Sequence, residues 1–83
     1  MENLNDIKQG TRLEFAAASP GIVSAIWREV GNGKGDVIEA RYCIAHDDGH
    51  ESYHTFRRDG RSHHNQTHDI TNVVHDYFDT LTS

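Results

Sequence analysis

Residues 36–61 read DVIEARYCIAHDDGHESYHTFRRDGR, and their phase decides the fold. From Val37 to His46 apolar and polar residues alternate with the period of a half-buried strand, which makes Ile38, Ala40, Tyr42 and Ile44 the inner set. Asp47-Asp48-Gly49 fits a three-residue hairpin loop with glycine in the left-handed position. Such a loop pairs His46 with His50 and sets everything after it: Ile44 faces Ser52, Cys43 faces Tyr53, Tyr42 faces His54, Arg41 faces Thr55 and Ala40 faces Phe56. A second tight turn, Arg58-Asp59-Gly60-Arg61, ends the returning strand. The two strands read as the middle hairpin of a small β-barrel.

On the N-terminal side, Gly31-Asn32-Gly33-Lys34-Gly35 holds three glycines in five residues and is expected to be a mobile hairpin tip. It lacks the Walker spacing and no apolar helical pattern follows it, so flexible connection outranks phosphate binding. Before it, Ile22 to Val30 is a long β-branched run opened by the turn pair Pro20-Gly21, with Ile22 and Ile26 on one face and Val23, Ala25 and Trp27 on the other. Thr11 to Phe15 alternates as a first strand with Leu13 and Phe15 inward. Residues 2–10 are polar apart from Leu4 and Ile7, and read as a lead-in too short for a stable helix unless docked. On the C-terminal side, Ser62 to Asp69 is a polar, histidine-rich surface loop and Ile70 to Val74 a last strand. Tyr77, Phe78 and Leu81 then suit a final helical turn that caps one barrel end.

Eighty-three residues make one domain with a thin core, expected over about residues 11–75. The formal charge of −5 argues against a broad cationic face for duplex DNA. Cys43 is the single cysteine, so no intrachain disulfide forms, and no segment resembles a signal peptide or a membrane span. A cytoplasmic protein without membrane association is the expectation.

Five short strands, the Gly21-Ile22-Val23 opening, a glycine-rich first hairpin, an Asp-Gly second hairpin and the closing Asp69-Ile70-Thr71-Asn72-Val73-Val74 resemble an SH3-like barrel. With the aromatic that precedes Asp59-Gly60-Arg61, they are similar to small barrel proteins of bacteriophage and prophage accessory regions, over roughly residues 8–75. The resemblance implies a phage-related binding role in the host bacterial cytoplasm and supplies no catalytic residue. The dense histidines and the Gly31 to Gly35 loop depart from that family's leaner pattern.

Two constellations carry the functional expectations. If Val30 faces Asp36 across the glycine loop, then Trp27 pairs with Glu39, Ala25 with Arg41 and Val23 with Cys43. One outer face then carries Val23, Ala25, Trp27, Arg41, Cys43, Tyr53 and Arg57. Trp27, Arg41 and Tyr53 have the composition of an interface centre, so a host protein, or a second copy of the chain, is the first partner expected. Arg57, Arg58 and Arg61, with His63 and His64 following, form the one concentrated cationic site. Guanidinium forks match phosphate, and the second expectation is a nucleotide or nucleic acid with Tyr53 or Trp27 on the base.

A metal-dependent hydrolase built on the loop residues His63, His64, His68 and Asp69 ranks third. Against it, His50 and His54 are ~13 Å apart along a strand, and Cys43 has no CxxC partner. No nucleophile sits on a strained turn, and no cofactor, metal ligand set or catalytic residue is expected.

Overall fold

The computed structural model describes residues 4–63 and 65–74. Five strands form one antiparallel sheet: β1 (Arg12–Phe15), β2 (Gly21–Gly31), β3 (Val37–His46), β4 (Glu51–Arg57) and β5 (Ile70–Val74). Their spatial order is β4-β3-β2-β1-β5, the order of an SH3-like barrel. The sheet curls until its two ends approach, where Ile70 N–H donates to Gly60 C=O at 2.9 Å.

Between β3 and β4 the register is the one that the Asp47-Asp48-Gly49 loop dictates. Ile44 pairs with Ser52, Cys43 with Tyr53, Tyr42 with His54, Arg41 with Thr55 and Ala40 with Phe56. Gly49 takes φ +96°, and His46 N–H donates to His50 C=O at 2.8 Å.

Between β2 and β3 the expected pairing fails. Val30 faces Glu39, Arg28 faces Arg41, Ala25 faces Cys43 and Val23 faces Ile44, because the ladder skips Ser24 and Trp27 on β2 and Ile38 on β3. Each skipped residue is a β-bulge, which bends its strand and reverses the side-chain phase beyond it. Val23 consequently lies in the core at 0% exposure instead of on the outer face, and Ile26 also packs inward. Ile38, placed in the inner set by simple alternation, is exposed, and Val37 packs against the core in its stead.

Leu13, Phe15, Val23, Ala40, Tyr42, Ile44, Phe56 and Ile70 fill the interior. So do Leu4 and Ile7, which makes the supposed lead-in part of the core. A local turn shapes this segment, Ile7 N–H donating to Leu4 C=O at 3.2 Å, and Gly10 N–H docks it on β2 by donating to Val23 C=O at 2.7 Å. Asn5 ties it to the far hairpin, donating to Asp36 Oδ1 at 3.1 Å and accepting from Val37 N–H at 2.6 Å. The same Asp36 bonds Asn32, and Asn32 Oδ1 accepts from Lys34 N–H at 2.7 Å, so the glycine-rich tip is held by side chains at its base. Within the polar loop after β4, Gln66–His68 forms a 3-10 turn capped by Asn65. The expected cap from Tyr77, Phe78 and Leu81 lies outside the described residues, as does His64.

Candidate functional site

The outer face of β2, β3 and β4 is built by alternation from the correct β3–β4 register and by the bulges of β2. Arg41, Cys43, Tyr53 and Thr55 emerge on one side of their strands. Trp27 occupies one of the bulged positions of β2, which frees its indole to lean across β3 onto the Tyr53 ring. Their centroids lie 4.9 Å apart at 67°, an edge-to-face contact. Both remain open to solvent, Trp27 at 62% and Tyr53 at 45%. Cys43 shares this face yet is buried, with Sγ 3.7 Å from Glu51 Oε2. The Tyr53 hydroxyl is pushed above its ordinary pKa, first by its hydrogen bond with Cys43, then by that thiol's charge, burial and Glu51.

Arg41 completes the trio, exposed and in hydrogen-bond range of Thr55 Oγ1 at 3.3 Å. Arg28 joins it as direct cross-strand partner, a residue that unbroken alternation had no reason to place there. Like charges facing one another across a ladder repel mildly, and among the described residues no carboxylate forms a salt bridge with either. The face thus combines an aromatic pair with two uncompensated guanidinium groups. Val23 and Arg57, also expected on it, differ in place: Val23 is interior and Arg57 lies at its far end opposite Glu39.

A separate feature, a concavity of about 490 Å³, lies beside the end of β4 and is lined by Arg57, Arg61, Ser62, His63, Asn65, Gln66 and Asp69. Arg57 and Arg61 come together because the Arg58-Asp59-Gly60-Arg61 turn closes with Arg57 N–H on Arg61 C=O at 2.9 Å. Arg58 points elsewhere, 3.6 Å from Asp36. His63 Nε2 lies 3.4 Å from Glu39 Oε1, and Asp69 Oδ1 accepts from Ser62 N–H at 2.8 Å. Among the described residues the lining is polar and holds no aromatic carbocycle, so neither Trp27 nor Tyr53 is available there to stack a base.

The histidines form a third feature that no spacing rule announced. Antiparallel pairing brings His46, His50 and His54 to one end of the barrel, and the 3-10 turn lays His68 among them. His46 stacks on His50 at 4.2 Å and His54 on His68 at 3.8 Å, with Phe15 5.6 Å from His46 and 5.5 Å from His68. His46 is buried and uses both ring nitrogens, one on Ser19 C=O and one on Ser52 Oγ, each at 2.6 Å. His50 Nδ1 bonds Asp48, whose carboxyl lies below its ordinary range chiefly through the His50 backbone N–H. Burial, then the charges of His46 and His50, lowers the pKa of His68. Stacked rings direct their nitrogens along parallel planes instead of toward a shared point. Among the described residues no three His, Cys, Asp or Glu side chains are placed to hold an ion. Of the loop residues behind the third-ranked metal reading, His63 and Asp69 both line the cleft but turn to Glu39 and Ser62, and His68 stacks on His54.

No family model matches the chain, and neither does any curated protein or solved structure. Functional argument therefore rests on the chemistry of these surfaces.

Proposed function

We propose that this chain is a non-catalytic binding module that engages a protein partner through Trp27, Tyr53 and Arg41. In the setting that the phage-like resemblance implies, that partner is a host protein whose activity the module modulates. The observation that carries the reading is the exposed Trp27–Tyr53 pair set beside Arg28 and Arg41. Large rigid rings bury area at little entropic cost, and guanidinium groups without an internal acid partner have most to gain from one supplied in trans.

The test is capture from host extract with wild type, Trp27→Ala, Arg41→Glu and, as a control at the glycine tip, Lys34→Ala. A protein retained by wild type and Lys34→Ala, lost by the other two, and rebinding in purified form supports the reading. Capture indifferent to Trp27→Ala and Arg41→Glu removes it.

The cleft beside β4 favours a second reading, in which a small phosphorylated ligand sits between Arg57, Arg61 and His63. Because the described lining holds no tryptophan or tyrosine ring, recognition would fall on the phosphate more than on the base. Thermal shift with inorganic phosphate and nucleotides, on wild type and on Arg57→Ala with Arg61→Ala, tests it. Stabilisation by phosphate that the double variant abolishes supports the cleft, and a flat response in wild type rejects it.

A further inference from the structure

Among the described residues, the outer edge of β4 is covered along only half its length. Thr55 C=O accepts from His63 N–H and Arg57 N–H donates to Arg61 C=O, both at 2.9 Å, with Phe56 bridged to Ser62 between them. Arg61 to His63 thus lie antiparallel beside the end of β4 as a short added strand. Backbone groups alternate sides along a strand. The β3–β4 register runs unbroken from Glu39 opposite Arg57 to Ala45 opposite Glu51. Glu51 and Tyr53 therefore present their N–H and C=O on the same outward side as Thr55 and Arg57. By Asn65 the chain has turned into the 3-10 turn that it caps. Among the described residues no backbone hydrogen bond meets Glu51 or Tyr53 from that side.

Resting on the protein-binding reading above, we infer that Glu51 to Tyr53 is a docking edge for an extended acidic segment of the partner, added as a strand that continues where Arg61 to His63 leave off. Such a segment satisfies the row of outward N–H and C=O groups and seats an apolar side chain against Tyr53 and Trp27. Its carboxylates meet Arg41 and Arg28, neither of which forms a salt bridge with a described carboxylate. In a chain of net charge −5 these two arginines also orient the approach, since an acidic segment is repelled by most of the remaining surface.

Two other occupants fit less well. A single-stranded nucleic acid can stack on the aromatic pair, but its phosphates offer no donors for the outward carbonyls. A second copy pairing about Ser52 would set Glu51 beside its partner's aromatic residue and leave both arginines unmatched, over an edge too short for the ~1,000 Å² of a stable interface.

The experiment selects a displayed library of random peptides of about eight residues, strand length, on the full chain. Selected peptides are then titrated against wild type, Trp27→Ala, Arg41→Glu and Glu51→Pro. Proline at 51 removes an outward N–H and leaves the β3 ladder intact, since edge positions tolerate it. Acidic sequences with one aromatic or aliphatic anchor are expected, weakened about tenfold by Glu51→Pro and similarly by N-methylation of alternate peptide nitrogens.

In the wild-type chain, peptide should also slow hydrogen exchange at the Glu51 and Tyr53 amides, a readout that does not depend on a variant folding. Binding that requires Trp27 but ignores Glu51→Pro and N-methylation, with unchanged exchange, overturns strand addition while leaving the face intact. Binding indifferent to Trp27→Ala overturns both readings. A basic consensus, protection of the same amides by an oligonucleotide, or no enrichment at all overturns the acidic strand.

Discussion

Leu4→Ala and Ile38→Ala each remove three carbons, and simple alternation and observed burial rank their costs in opposite order. Leu4 is 1% exposed among the core residues, whereas Ile38 sits on the β3 bulge at 36%. Truncating a buried leucine costs about 2–5 kcal/mol, transfer and residual cavity together. A side chain as exposed as Ile38 should cost below about 1 kcal/mol. A chain of this length has roughly 4–12 kcal/mol of stability, so Leu4→Ala removes a large part of it. For a domain of this size each kcal/mol moves Tm by about 4–8 °C, which puts a loss of about 3 kcal/mol at about 10–25 °C. Urea denaturation followed by far-ultraviolet circular dichroism gives both values. Equal losses would mean that Ile38 points inward and that β3 has no bulge there. A Leu4→Ala loss under about 0.5 kcal/mol would mean that the N-terminal segment does not belong to the core.

Three further outcomes are expected. The Tyr42 hydroxyl is buried without a hydrogen-bond partner among the described residues, so Tyr42→Phe should leave stability unchanged or raise it by up to about 1–2 kcal/mol; a clear loss in chemical denaturation contradicts the orphaned hydroxyl. His68 has a folded-state pKa below its ordinary value of 6.5, so its contribution is complete above that pH and is lost as pH falls through the lowered value. The groups facing it are His46, His50, His54, Phe15 and Thr67, and Asp48 offsets part of the charge on His50. Urea midpoints should therefore fall as the pH drops below about 6.5, and His68→Gln should flatten that fall; an equal fall in the variant rejects the assignment. Trp27, the sole tryptophan and 62% exposed, should emit as a solvated indole and be quenched readily by iodide, whereas a blue-shifted, iodide-resistant emission contradicts the open face.

Much of the architecture was legible because it is local. Asp47-Asp48-Gly49 specifies one loop geometry, the loop fixes the pairing of His46 with His50, and period-two alternation carries that register to Arg57 without further information. Cys43 beside Tyr53 and Arg41 beside Thr55 followed from those residues alone. The candidate face was legible in its members Trp27, Arg41 and Tyr53, although for Trp27 the expected pairing with Glu39 was wrong.

What the sequence by itself determined is the strand-forming pattern, the tight turns and the β3–β4 hairpin, all set by backbone preferences within a few residues. Only the tertiary structure decided that Ser24, Trp27 and Ile38 drop out of the ladder, that Val23 turns inward, that Leu4 and Ile7 enter the core, and that His68 lies on His54. The reason is that a sheet closing on a small core must bend, and where it bends depends on side chains packed from distant parts of the chain. One skipped residue costs little locally and shows in no motif, yet it reverses which side chains meet water beyond it.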